Sequence, residues 1–395
     1  MIPYSRQYLD KSDLHEVSKV LRSKLITQGD KVKIFEKKIC KKVGSKYGVT
    51  ANSATSALHI ACLALGLKKN DYLWTVPNTF VASANCGVYC GAKIDFVDID
   101  ENTFNISLLE LKKKLKLSKK LKKLPKIIVG VDFAGNPYDH KELYELSKKY
   151  NFKTITDASH SLGSKYKNSL IGACKWSDIT VFSFHPVKPI TTAEGGIAVT
   201  NNRKLFNDLN IFRNHGITKN LKEFKKKINQ KWYYEQVSLG YNYRMNEIQA
   251  ALGISQLKKL SLFNKKRNIL AKKYSQNLKD LPIKFQKINK NCYSAYHLFV
   301  ILFPNSIIRK KLYNKIFNYF LKKKIGVNLH YLPVHLHPFY RKKGFGIGNY
   351  PIAENYAKRA ISIPLYPSLT FQNQNKVIRV IKKICNQYFN NEKFT

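Results

Sequence analysis

The stretch Ile179-Thr180-Val181-Phe182-Ser183-Phe184-His185-Pro186-Val187-Lys188-Pro189-Ile190-Thr191-Thr192-Ala193-Glu194-Gly195-Gly196 decides how this chain is to be read. Its first five residues mix β-branched and aromatic side chains with small hydroxyls, the composition of a buried strand. Pro186 and Pro189 then forbid a continued strand or a helix, because each lacks the amide hydrogen that either ladder needs. Lys188 therefore stands on an irregular loop just past a strand end, where ligands bind in open α/β sheets. In a chain with 60 lysines any one of them is ordinarily a solvated surface group, so only its surroundings distinguish Lys188.

Outward from this stretch, strand-like and helix-like segments alternate. Strands are expected over residues 72–76, 94–98, 127–131, 153–157, 179–183 and 196–200, an order that predicts an α/β fold with a mainly parallel sheet sandwiched by helices. An amphipathic helix is expected over 12–24, with Ser12 as N-cap and Leu14, Val17, Val20 and Leu21 on one face. A second helix over 246–257 follows the turn Gly240-Tyr241-Asn242-Tyr243-Arg244, and 265–278 reads as a long connector. Beyond it a strand over 296–302 and helices over 308–323 and 374–386 form a smaller C-terminal α+β lobe. The 395 residues exceed what one core usually serves. The expected division is a large domain with its N-terminal arm over 1–258 and a small domain over 259–395.

The formal charge of +45 raises nucleic-acid binding first, since phosphate neutralisation dominates such affinity. Its distribution argues otherwise: arginine, the preferred reader of bases and phosphates, occurs only ten times, and lysine clusters at 111–123, 222–227 and 322–324 are scattered over several helices. Lysine on solvated helix faces accounts for the balance, and a positive field still attracts an anionic substrate. The N-terminus lacks the apolar stretch of a signal peptide, and the longest apolar run, 57–67, is too short and too interrupted to span a bilayer. A cytoplasmic protein is expected, with no membrane and no nucleic-acid partner. Seven cysteines, an odd number, and Cys86-x-x-x-Cys90 without a second pair at zinc-finger spacing, fit free thiols.

Three further segments carry chemistry. Gly48 to His59 reads as strand, small-residue turn and helix, leaving backbone N–H groups and hydroxyls at a helix N-terminus, which is an anion site or simply a capped helix. It lacks the Gly-Lys pair of a nucleotide-hydrolysing loop. Asp157 closes the strand Thr154-Ile155-Thr156, so its carboxylate emerges at the same sheet edge as Lys188. A carboxylate there either caps the next turn or holds a pyridine nitrogen protonated, the main electronic control a protein has over pyridoxal phosphate. Phe80, in Pro77-Asn78-Thr79-Phe80, is a candidate to lie flat on such a ring, or else a core residue.

The set Ala54-Thr55, Asp157-x-x-His160, Ser183-Phe-His-x-x-Lys188, Glu194-Gly-Gly and Gly240-Tyr-Asn-Tyr-Arg244 resembles the DegT/StrS-type sugar-nucleotide aminotransferases over nearly the whole chain. The resemblance implies the fold-type-I architecture of pyridoxal phosphate enzymes. It implies Lys188 as the lysine that binds the cofactor covalently and moves the proton, and Asp157 as partner of the pyridine nitrogen. It also implies Phe80 stacked on the ring, His160 beside it, and Ala54, Thr55 and Ser183 on the phosphate. Asn242 would approach the phosphate of a neighbouring subunit, which implies a homodimer with shared active sites. Within the family, Pro3-Tyr4-Ser5-Arg6-Gln7, Leu25-Ile26-Thr27-Gln28-Gly29 and Asn328-Leu329-His330-Tyr331-Leu332-Pro333 are similar to the pseudaminic acid subgroup. That subgroup implies a UDP-linked 4-keto-6-deoxy-N-acetylhexosamine as substrate and glutamate as amino donor. Tyr4, Gln28, Arg244, His330 and Tyr331 are the sugar contacts suggested by motif position. Asp132-Phe133-Ala134-Gly135 and Ala193 depart from the wider family pattern, the former in agreement with the subgroup.

Overall fold

A computed structural model describes residues 1–221, 224, 230 and 232–389, so the lysine cluster at 222–227 lies, Phe224 apart, outside the described residues. Seven strands form the central sheet: β1 (Tyr47–Ala51), β2 (Tyr72–Thr75), β3 (Lys93–Phe96), β4 (Ile127–Val131), β5 (Lys153–Asp157), β6 (Ile179–Ser183) and β7 (Gly196–Thr200). The last four of these have the bounds that their side-chain patterns predict. Their order is β1-β7-β6-β5-β4-β2-β3, and β7 alone is antiparallel to both its neighbours. Strands β4, β6 and β7 are buried along their whole length, which is why they read as apolar runs without alternation.

One consequence of this order is that the carboxyl ends of β1, β5 and β6 share one edge with the start of β7. Gly196 pairs with Ala51 on one side and Ser183 on the other, while Asp157 pairs with Val181. Helix α3 (Ala54–Ala64) leaves this edge two residues after β1, capped by Ser53, whose hydroxyl accepts the Ser56 N–H at 3.1 Å. It passes so close to β7 that a Cβ on Gly196 would lie 2.5 Å from the Ala54 Cα. Glycine at 196 is what lets the first turn of α3 sit against the sheet edge.

At the N-terminus the helix α1 (Lys11–Leu21) departs from expectation at its cap. Asp10, not Ser12, holds that place: its carboxylate accepts the Ser12 and Asp13 N–H groups, and the Asp13 side chain answers in a capping box. An aspartate two residues upstream outcompetes the serine because its ionised oxygens accept more strongly. Leu14 and Leu21 are exposed, whereas Val20 and Asp13 are buried. Asp13 is buried where Lys259 (2.7 Å) and Gln256 (2.8 Å) reach it from the helix Glu247–Leu278. Helix α2 (Asp30–Val43) ends at Gly44, whose φ of 84° is the left-handed cap glycine allows.

Helix α4 (Ala82–Tyr89) follows β2, α5 (Leu108–Lys120) follows β3, α6 (His140–Tyr150) joins β4 to β5, and α7 (Arg203–Arg213) follows β7. The helix over 246–257 and the connector over 265–278 are a single helix, α8 (Glu247–Leu278), of 32 residues and about 48 Å. It runs unbroken through residue 258. No glycine, proline or cap interrupts the register between the two segments, since Gly253 lies inside the first and is buried. Beyond α8, an antiparallel three-stranded sheet (Lys284–Phe285, Phe299–Leu302, Ala360–Ile363) packs with helices Tyr313–Lys322 and Phe371–Phe389 around a separate apolar cluster. The expected helix over 308–323 is two pieces, because Lys311 takes φ 52° between Ser306–Arg309 and Tyr313–Lys322.

Gly196→Ala should lower stability by about 1–3 kcal/mol, because the methyl group meets backbone rather than a movable side chain. Urea unfolding reads this directly, and an unchanged midpoint would mean that α3 can slide without cost.

Candidate active site

A cavity of about 570 Å³ opens at the carboxyl edge of the sheet, and its walls hold Tyr4, Ala54, Thr55, Phe80, Asp157, His160, Ser183, Lys188, His330 and Tyr331. Ten of the thirteen residues picked from the sequence thus meet in one place. Each arrives on a different element: Asp157 and Ser183 close β5 and β6, Ala54 and Thr55 open α3, Phe80 precedes α4, and Lys188 lies on the loop between β6 and β7. His330 and Tyr331 come from the segment after helix Tyr313–Lys322, and Tyr4 from the N-terminal residues ahead of α1.

Asp157 is held from both sides. Its Oδ2 accepts the Ser83 hydroxyl at 2.7 Å, and its Oδ1 accepts the Ser159 hydroxyl at 2.5 Å and the Ser159 N–H at 3.1 Å. Lys188 is half-buried as a residue and lines the cavity. Loss of water there pushes its pKa down to about 8, against the opposing pull of the Asp157 charge.

Three histidines surround this lysine, and burial together with its positive charge pushes each below the ordinary range. His330 falls to about 3, while His160 and His297 fall well below their usual value. All three are therefore neutral at pH 7. His160 Nδ1 accepts the Ala134 N–H at 3.2 Å, which leaves its proton on Nε2, 3.3 Å from the Tyr331 hydroxyl. Ala134 reaches it from the 132–135 loop after β4, where it takes a φ of 59°. His330 is fixed by Ser362 at 2.8 Å, and Tyr331 by Asn78, whose Oδ1 accepts its N–H at 3.0 Å. Phe80 is 58% exposed although it lines a cavity, so much of its ring remains accessible. Its ring centroid is 6.2 Å from that of Tyr331.

The remaining three candidates lie elsewhere. Gln28 and Arg244 line a second cleft, of about 470 Å³, with Arg213 and Asn214. Asn242 forms a backbone bridge with Asn214, and Arg244 donates to the Asn214 Oδ1 at 2.6 Å. The turn is thus tied to the end of α7, and neither Asn242 nor Arg244 lines the cavity that holds Lys188. Sequence reasoning also passed over Ser83, Ser159 and His297. Ser159 carries a local signal, an Asp-x-Ser turn, but Ser83 is 74 residues from the carboxylate it holds and nothing in the sequence pairs them. His297 sits in a strand-like run, buried, and its Nδ1 has no hydrogen-bond partner among the described residues.

The profile of the DegT/DnrJ/EryC1/StrS aminotransferase family matches residues 7–382. This chain belongs to that family. A Campylobacter jejuni protein named UDP-4-amino-4,6-dideoxy-N-acetyl-beta-L-altrosamine transaminase is 38% identical over 397 residues, covering 98% of this chain and 100% of its own. A Helicobacter pylori protein of the same name is 35% identical, covering 96% of each. Among solved structures, Helicobacter pylori PseC, an aminotransferase involved in the biosynthesis of pseudoaminic acid, has a TM-score of 0.88 at 33% identity and covers 98% of this chain and 100% of its own. Family members depend on pyridoxal phosphate, and the PLP form of Spr1654 from Streptococcus pneumoniae has a TM-score of 0.87 at 26% identity, covering 98% of this chain and 99% of its own. The chain is accordingly a pyridoxal phosphate-dependent sugar aminotransferase.

The residues present fit that cofactor on physical grounds as well. The first turn of α3 offers N–H groups without intrahelical partners, beside the Thr55 and Ser183 hydroxyls, which is the donor set a phosphate dianion requires. The close approach that Gly196 permits brings this turn to the sheet edge. The same cavity also holds a carboxylate fixed by two serines, an amine of lowered pKa and the partly exposed ring of Phe80.

The sign of the lysine's pH dependence follows from its shift. The unfolded chain keeps that proton to about pH 10.5, whereas the folded, cofactor-free chain releases it near 8. This group's contribution to stability therefore rises from about pH 8 to 10.5 and is least below 8. Cofactor-free Lys188→Met should lose that rise in urea midpoints. Trinitrobenzenesulfonate should label Lys188 with a midpoint near pH 8, moved lower in Asp157→Asn, and a midpoint above 10 would contradict the desolvated amine.

Proposed function

We propose that this enzyme aminates C4 of a UDP-linked 4-keto-6-deoxy-N-acetylhexosamine, with glutamate as amino donor, in the cytoplasm. The observation that carries the chemistry is the Lys188 amine and the Asp157 carboxylate in one cavity with the α3 N-terminus. Support for the substrate comes from the relatives whose names specify that sugar.

In this reading Ala54, Thr55 and Ser183 bind the phosphate, and Phe80 covers one face of the ring. Bound in this way, pyridoxal phosphate supplies an aldehyde that captures amines and a ring that withdraws electrons. Asp157 would keep the pyridine nitrogen protonated, its carboxylate oriented by Ser83 and Ser159. Lys188 would hold the cofactor through its amine, and its free Nζ would carry the donor α-proton to the cofactor in one half-reaction and a proton from the cofactor to C4 of the ketosugar in the other. Burial lowers the pKa of its free amine in the cofactor-free chain to about 8, a shift toward the neutral form that a general base requires. The neutral imidazoles of His160 and His330 add hydrogen-bonding groups without a second positive charge that would compete for Asp157. Tyr4, His330 and Tyr331 line the side of the cavity formed by the arm and the small lobe, where the sugar enters.

Gln28, Asn242 and Arg244 complete the site of a second subunit in this proposal. Asn242 and Arg244 do not line their own chain's Lys188 cavity, which a shared site accounts for. A homodimer then holds two sites, each built from both chains.

Borohydride reduction of the holoenzyme followed by peptide mapping should find the cofactor on Lys188, and label on another lysine ends the assignment. Asp157→Asn should lower turnover by at least about a hundredfold while cofactor content falls little, and Ser183→Ala should show the reverse pattern. With UDP-4-keto-6-deoxy-N-acetyl sugars of both C5 configurations, only one should be aminated. Turnover of neither would refute the substrate while leaving the cofactor site intact.

Subunits carrying Lys188→Ala and subunits carrying Asn242→Ala with Arg244→Ala should each be inactive alone and recover activity when mixed. No recovery after demonstrated subunit exchange would place the turn outside its neighbour's site.

A further inference from the structure

The run Asp132-Phe133-Ala134-Gly135 follows β4, and none of its four residues lines the cavity. Its backbone and one carboxylate nonetheless hold residues that do. Asp132 is fully buried. Its Oδ2 accepts the Ser161 hydroxyl at 2.7 Å, and its Oδ1 accepts the Tyr138 N–H at 3.2 Å and stands 2.8 Å from the His140 Nε2. Its own N–H donates to the Asp157 carbonyl at 3.1 Å. Two positions on, Ala134 takes a φ of 59°, which a residue with a side chain adopts only where its surroundings fix it, and its N–H reaches the His160 Nδ1 at 3.2 Å. Asp132 thus grips the chain on either side of His160, at Asp157 and at Ser161, while Ala134 takes the ring itself.

We propose that Asp132 is a positioning residue for transamination. By tying the 132–135 loop to Asp157 and Ser161 it keeps the Ala134 N–H on the His160 Nδ1, so that His160 donates from Nε2 to the Tyr331 hydroxyl and Tyr331 donates its own proton to an oxygen of the bound sugar. The last step rests on the sugar substrate proposed above. A backbone N–H can only donate, so its bond to Nδ1 requires that nitrogen to be bare, and a neutral imidazole then carries its proton on Nε2. Burial and the Lys188 charge keep the ring neutral. The Tyr331 oxygen, 3.3 Å from Nε2, accepts that proton's hydrogen bond. Burial pushes the Tyr331 phenol far above its ordinary range, so it remains a hydroxyl. That hydroxyl has no other hydrogen-bond partner among the described residues, and Tyr331 lines the cavity. With the proton on Nδ1 instead, Nε2 would accept from Tyr331 and turn the phenol proton away from a ligand.

Asn105 also holds the loop, its Oδ1 accepting the Phe133 N–H at 3.0 Å, but it ties the loop to the segment after β3 and leaves the distance to His160 to Asp132. An aspartate suits that task because both its oxygens accept. Asparagine keeps the shape but turns one end into a donor, which then faces the Ser161 hydroxyl or the Tyr138 N–H and the His140 ring. A hydroxyl can rotate to accept, whereas a backbone N–H cannot. Asp132→Asn therefore loosens the loop against the histidine's own segment without opening a cavity.

Nitrogen-15 NMR of the cofactor-free, full-length chain, labelled at histidine, reads the tautomer directly. The His160 signals, assigned by their absence in His160→Gln, should show a bare Nδ1 and a protonated Nε2 at neutral pH, and Asp132→Asn should turn them into a mixture of tautomers. With holoenzyme and a UDP-4-keto-6-deoxy-N-acetylhexosamine, Asp132→Asn and Tyr331→Phe should each lower kcat/KM about tenfold. The double variant should also lose about tenfold, where independent effects would multiply to about a hundredfold. Ser161→Ala, which frees the residue after His160 from Asp132, should reproduce both results and stands in if Asp132→Asn does not fold. A protonated Nδ1 in the unaltered chain, an unchanged tautomer in the folded Asp132 and Ser161 variants, or a multiplied loss in the double variant overturns the proposal. If the unaltered enzyme does not turn over the sugar, the substrate reading fails and the tautomer measurement alone decides the role of Asp132.

Discussion

Removing water from the Lys188 ammonium is the constraint to which the rest of the site answers. A charged amine in an enclosed cavity is costly, and a carboxylate facing it lowers that cost only if the carboxylate is itself satisfied. Ser83 and Ser159 meet that condition for Asp157, and they come from two separate segments. The surrounding histidines remain neutral for the same reason: each added positive charge would increase the repulsion around the lysine. A group of tunable protonation, a fixed negative charge and hydrogen-bonding neutral rings follow from one desolvated space.

That space exists because of the order of the sheet. Strand β7 reverses direction between β1 and β6, so the loop carrying Lys188 turns back over the edge where β5 and β6 end. Gly196, the first residue of the reversed strand, then admits the first turn of α3 at a distance no side chain tolerates. The close approach of the α3 N-terminus and the return of the lysine loop both depend on that reversed strand. The small lobe closes the opposite side with His330 and Tyr331, held by Ser362 and Asn78.

The net charge of +45 has no concentrated outlet in the cavity, where Asp157 and Glu194 accompany Lys188. Lysines such as Lys113 and Lys141 instead pair with exposed glutamates along their own helices. Such pairs contribute little to stability individually. The field they add is long-ranged and favours approach of a dianionic sugar nucleotide over a neutral one.

Alternation of buried runs with amphipathic segments, read from the sequence alone, was enough for the α/β class, the bounds of β4 to β7 and the position of Lys188 beyond a strand end. These are local properties: strand burial, proline geometry and helix caps act within a few residues. The sequence also pointed to Asp157, Ser183, Ala54 and Thr55, since each sits where an element ends or begins. Tertiary structure alone decided that Ser83 and Ser159 hold Asp157, that α8 is one rod and not a helix and a connector, and that Asp10 displaces Ser12 as a cap. It also separated Gln28, Asn242 and Arg244 from the cavity that the other ten candidates share. The physical reason is that hydrogen-bond partners 74 residues apart, and the face a turn presents, depend on how elements pack, and packing has no period in the chain that could announce it.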